Sequence, residues 1–142
     1  MSDLRYKLSG LIGQDAWGVR IGIGTHLLLE FGAIREIEDG KIGDFSVWVP
    51  GAPWRLDDAS KIIAGSGQDD LSIDSVQVLN GDKITDIVIE ETYFEVKILW
   101  ESGLRLSVMS ENSDEDTIVF FVCDEVFVVD GTGQLITEQR KS

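Results

Sequence analysis

Apolar side chains alternate with polar or small ones along much of this chain, the period of two expected of strands with one buried face. The pattern is clearest in WGVRIGIGTHLLLEFG. There Trp17, Val19, Ile21 and Ile23 share one phase, and Leu27, Leu29 and Phe31 resume it after a Gly24-Thr25 break. This predicts a β-hairpin on which later strands are laid. The other face of its first strand carries Gly18, Arg20, Gly22 and Gly24, leaving room for a second backbone or a bulky group to lie close.

The last third repeats the signal. Ile84–Ile89, Tyr93–Trp100, Leu104–Met109, Thr117–Val122 and Val126–Val129 are five β-prone runs. The turns between them are too short for a parallel crossover, so neighbours are antiparallel. Phe94, Val96, Ile98 and Trp100 alternate with Tyr93, Glu95, Lys97 and Leu99, giving one inward and one wetter face.

Elsewhere the pattern is weaker. Arg5–Leu11 reads as a short edge strand or an ordered lead-in. Asp39-Gly40 marks a turn in a solvated loop or short ribbon, and Ser46–Val49 a brief strand. Pro50 and Pro53 forbid continued ladder pairing and turn the chain. Two short strands around Asp57-Asp58 follow between Trp54 and Gly65.

Two readings compete over 69–81. A helix capped by Asp69 or Asp70, with Leu71, Ile73, Val76 and Leu79 near one face, is preferred to a strand ending in an Asn80-Gly81 hairpin turn. The fold expected is therefore mainly β, bordering on α+β. One domain spans 1–142, its antiparallel meanders and hairpins forming a twisted sheet, roll or sandwich, with one short helix near 70–80 and a partly frayed tail over 131–142.

Composition adds a surface to this fold. The 142 residues are 43% hydrophobic, enough for a core without staples, and the one cysteine, Cys123, cannot form an internal disulfide. No apolar run reaches the roughly 20 residues of a spanning helix, and MSDLRYKLSG lacks a signal peptide's basic start and apolar middle, so a cytoplasmic setting is expected. Against 12 bases stand 26 acids, a net charge of −14 that repels nucleic acid and anionic membranes and would attract a basic protein. Seven acids and no base lie between Glu111 and Asp130, placing the expected partner surface on Glu111, Asp114, Glu115, Asp116, Asp124 and Glu125. A homodimer through an exposed edge strand is compatible with the sequence but not indicated by it.

No catalytic, cofactor or metal site emerges. His26 is the only histidine, and nothing brings it to Cys123, whose apolar and acidic neighbours disfavour a thiolate. Asn112, Asp114 and Asp116 imitate the start of a calcium loop, but Thr117 stands where its glycine belongs and Cys123 where its glutamate does. Gly22-Ile23-Gly24 lacks the third glycine and the βαβ setting of a nucleotide fingerprint. Trp48 and Trp54 bracket the prolines beside Arg55, and these three define a candidate ligand cleft. An enzyme working with carboxylates alone is a third reading that only geometry can test.

WGVRIG at Trp17–Gly22, LEFG at Leu29–Gly32, WRL at Trp54–Leu56 and AGS at Ala64–Ser66 resemble a pattern in a family of small bacterial β-rich proteins of unknown function. The similarity covers Leu11 to Met109 and implies no activity or residue role. In charge and size the chain is also loosely similar to immunity proteins that neutralise bacterial toxins. The leading expectation is a non-enzymatic protein-binding module, immunity- or inhibitor-like, with a small-ligand or carbohydrate-binding domain as the alternative.

Overall fold

Leu4, Leu8 and Leu11 sit at spacings of four and three, the period of a helix, and each is at most 1% exposed. That spacing decides the N-terminus. Where a strand or lead-in was expected, Ser2–Leu8 forms helix α1 and Ser9–Leu11 a 3-10 turn. The computed structural model describes residues 2–22, 26–67, 73–92 and 94–139. The Gly24-Thr25 break with Ile23, the Asp69 and Asp70 caps with Leu71, Tyr93 and the last residues of the tail lie outside them.

Eleven strands follow among the described residues: β1 Trp17–Ile21, β2 Leu27–Ile37, β3 Gly40–Val49, β4 Trp54–Asp57, β5 Ile62–Gly65, β6 Ile84–Glu90, β7 Glu95–Trp100, β8 Arg105–Met109, β9 Ile118–Val122, β10 Glu125–Val129 and β11 Leu135–Gln139. Between β5 and β6, Ile73–Val76 is helix α2 and continues as a 3-10 turn over Gln77–Leu79. The preferred helix is thus present, and the Asn80-Gly81 turn follows it. The Asn80 side chain accepts the Val19 N–H at 3.0 Å, and the Gly81 N–H donates to the Ala16 carbonyl at 2.7 Å.

Every strand pairing is antiparallel. One sheet runs β1-β2-β3-β9-β10-β11 and the other β5-β4-β8-β7-β6. The proline segment at 50–53 carries the chain from the first sheet to the second, and 110–117 brings it back. Within the tail, where fraying was expected, Leu135–Gln139 pairs with β10 along five registers.

The core lies between the sheets. Leu27, Leu29, Phe31, Phe120 and Phe127 of the first face Leu56, Val96, Ile98, Leu106 and Val108 of the second, all fully buried. Helix α1 closes one end, its Arg5 guanidinium donating to the Ile89 carbonyl on β6 and its Lys7 ammonium paired with Glu125 on β10.

Two carboxylates where β4 ends, Asp57 and Asp58, are tuned by this framework. Burial opposes ionisation of Asp57, but the Ala59 N–H and the Arg105 and Arg55 guanidinia outweigh it and hold Asp57 below its ordinary value. The Ser60 hydroxyl and N–H, with the Lys61 N–H, draw Asp58 down to about 2. Depressed folded-state values mean that the unfolded chain binds more protons in acid. This stability is fully present above the ordinary aspartate value of about 4 and is lost as pH falls toward 2. The urea midpoint should hold steady above about pH 5 and drop below pH 4, with a shallower fall in Asp58→Asn. A midpoint flat down to pH 2 would contradict this assignment.

An apolar groove as the candidate functional site

β9 reads IVFFV and β10 EVFVV, apolar at successive positions instead of alternate ones. Such runs need cover on both faces. Phe120 and Phe127 fill the core, whereas Val119, Phe121, Val126 and Val128 point to the other side of the six-stranded sheet. Val119 and Val126 are buried there without belonging to the core cluster.

Both line a groove of about 650 Å³ across the outer face of the sheet. In-register pairs place Arg20, Leu28, Trp48, Val119, Val128 and Ile136 in one cross-strand row. Glu30, Ser46, Phe121, Val126 and Glu138 form the next. Two irregularities shape this surface, one in the β1-β2 ladder between Trp17 and Arg20, the other in the β2-β3 ladder between Phe31 and Ile34. Bulges bend a sheet and sharpen its twist.

The second bulge explains the most unusual residue of the floor. Glu30 is 2% exposed, a carboxylate in the apolar strand LLLEF. Beside the bulge, the Gly43 N–H donates to Glu30 Oε1 at 2.9 Å, and the Ser46 hydroxyl donates to the same oxygen. Oε2 pairs with Arg20 Nη2 at 2.9 Å, and Arg20 Nη1 donates to the Gly18 carbonyl at 2.9 Å. The small face anticipated on β1 accommodates this arrangement, because a Cβ at Gly18 would stand 3.4 Å from Glu30 Cγ. A buried charge is tolerable only when paired and hydrogen-bonded, and Glu30 meets both conditions.

Comparison with known proteins is silent. No protein-family model, curated protein or solved structure matches this chain.

The residues singled out in the sequence are dispersed by the fold. Trp48 lines the groove, its ring meeting His26 edge-on at 6.2 Å between centroids. Trp54 is instead 3% exposed in the core, and Arg55 lies on the outer face of the second sheet with its Nε 3.4 Å from Asp57. These three form no common cleft, because strand alternation turns Trp54 and Arg55 to opposite faces of β4.

The six acids also divide. Glu111, Asp114, Glu115 and Asp116 precede β9, with Asp116 on the groove rim, while Asp124 and Glu125 follow it. Five strand residues, about 17 Å, separate the two groups. Asp124 pairs with Arg35 at 3.4 Å and Glu125 with Lys7 at 2.6 Å, the latter bond raising the lysine's pKa.

Cys123 occupies the β9-β10 turn, where its N–H donates to the Asp44 carbonyl. His26 precedes Leu27, whose partner is Val49. The strand length from Asp44 to Val49, about 17 Å, keeps histidine and thiol apart. Among the described residues, no group of three or more His, Cys, Asp or Glu is placed to hold a metal ion. Nor is any described helix long and apolar enough to cross a membrane.

Proposed function

We propose that this chain is a non-enzymatic binding module for a small apolar molecule, seated in the groove on the outer face of the six-stranded sheet. The observation that carries the reading is the pair Val119 and Val126, buried on the face turned away from the core beneath a cavity of about 650 Å³. Small-molecule sites commonly measure some 300 to 1,000 Å³ and combine an apolar lining with a few fixed polar groups. Here Glu30, Ser46 and Arg20 are those groups, already oriented by one another. The alternative ligand domain inferred from sequence therefore keeps Trp48 but moves from the proline loop to the sheet face.

An inhibitor-like complex with a basic protein draws less support. Its six acids stand at both ends of β9, and two of them are neutralised within the chain.

Titration with the uncharged fluorophore N-phenylnaphthylamine tests the groove. Its emission should rise on binding while tryptophan emission falls, and Val128→Arg should weaken binding at least about tenfold by placing a charge in the apolar row. Absence of binding, or a folded Val128→Arg protein with unchanged affinity, would overturn the proposal.

A further inference from the structure

The charges around the groove are unequal. Among the described residues, Glu30, Asp116 and Glu138 line it against the single guanidinium of Arg20. Arg20 is already committed to the Glu30 carboxylate and the Gly18 carbonyl. Asp116, just ahead of β9, and Glu138, beside Val126 at the β11 edge, are the carboxylates left over. Neither makes an ion pair among the described residues, and both are exposed at the rim of a chain carrying a net charge of −14.

From this imbalance, and resting on the groove reading above, we infer that the ligand is an organic cation: an apolar, ring-sized body bearing an ammonium or amidinium group. The apolar part lies over Val119, Val126 and Val128. The positive group reaches the rim at Asp116 or Glu138, where the carboxylates remain in water and incur little desolvation cost on pairing. Trp48 and Phe121 strengthen the preference, because the face of an aromatic ring attracts a cation within about 6 Å of its centroid. An anion meets the opposite field, since Arg20, the one base lining the groove among the described residues, is held by Glu30. A neutral molecule gains the apolar contact alone.

Three probes sharing one body separate these cases: naphthylmethylammonium, naphthylmethanol and naphthoate, each titrated by calorimetry at low and high salt. The cation should bind roughly five- to tenfold more tightly than the alcohol, and naphthoate the most weakly, since exposed pairs of this kind contribute about two- to fivefold each. The advantage should shrink as salt shortens the screening length to about 3 Å near 1 M. In the double variant Asp116→Asn, Glu138→Gln, the cation should lose most of its advantage over the alcohol measured on the same variant, the remainder being what the rings of Trp48 and Phe121 supply.

Equal binding of all three probes overturns the cation inference and leaves the groove reading standing. Tightest binding of naphthoate overturns it as well and makes Arg20 the recognising group. If none of the three binds, the groove reading fails and takes the cation inference with it.

Discussion

Gly43→Ala should lower the stability of this protein by about 3 kcal/mol or more and its thermal midpoint by roughly 10 °C. A Cβ at Gly43 would stand 2.3 Å from the Phe31 carbonyl oxygen, 2.8 Å from that of Phe45 and 2.9 Å from the Phe31 nitrogen. All three atoms are backbone, so no rotamer change relieves the contact. The strands would have to part where the bulge already weakens the ladder, and the Gly43 N–H would be carried away from Glu30. With domains stable by only about 5 to 15 kcal/mol, a loss of this size approaches the limit for folding. Gly67→Ala is the control: its Cβ meets no atom of the described residues within 4 Å, and its cost should stay within about 0.5 kcal/mol. Equal denaturation midpoints for the two variants would show that the bulge does not require glycine.

The strands were legible because one-sided burial writes a period of two. Trp17 to Phe31 announced β1 and the first half of β2, and the runs from Ile84 to Val129 announced β6 to β10 close to their observed limits, while β2 continues to Ile37 and β11 stands where a frayed tail was expected. Helix α1 was harder to see. Only Leu4, Leu8 and Leu11 carry its period, and Gly10 interrupts the segment, so its stability comes from the core into which those leucines fit.

The groove was missed for another reason. Its floor is assembled from β1, β2, β3, β9, β10 and β11, and Leu28, Trp48, Val119, Phe121, Val126 and Val128 occupy the phase that alternation assigns to solvent. A signal was nevertheless present in LLL, IVFFV and VFVV, where alternation fails because both phases are apolar. The proline segment and the acidic stretch stand out in sequence as a loop and a charge run, whereas the concavity arises from pairings among strands distant in sequence.

Glu30→Ala should be nearly as damaging as Gly43→Ala, at about 3 kcal/mol, because it removes the acceptor of three groups at once: the Gly43 N–H, the Ser46 hydroxyl and the Arg20 guanidinium. Arg20 is 39% exposed and recovers part of its loss from water; Gly43 and Ser46 are buried and recover little. Glu30→Gln separates the contributions. Its amide oxygen can still accept from Gly43 and Ser46, so it should cost only about 1 to 2 kcal/mol, most of it from turning an amide toward Arg20. Joining it to Arg20→Leu should restore some stability.

The pair Arg20→Leu, Glu30→Leu should remain destabilised, although apolar replacement of a buried ion pair is often neutral elsewhere. The bulge accounts for the difference, since the Gly43 N–H beside it donates to the side chain at position 30 and leucine offers no acceptor there. Urea midpoints for the four variants decide the matter, and full stability in the double leucine protein would refute it. The same set bears on the groove. If Glu30 also orients its floor, Glu30→Gln should keep most of the affinity for N-phenylnaphthylamine and Glu30→Ala should lose more than its stability loss explains. The carboxylate would then satisfy the strand bulge and hold the floor of the groove with the same hydrogen bonds.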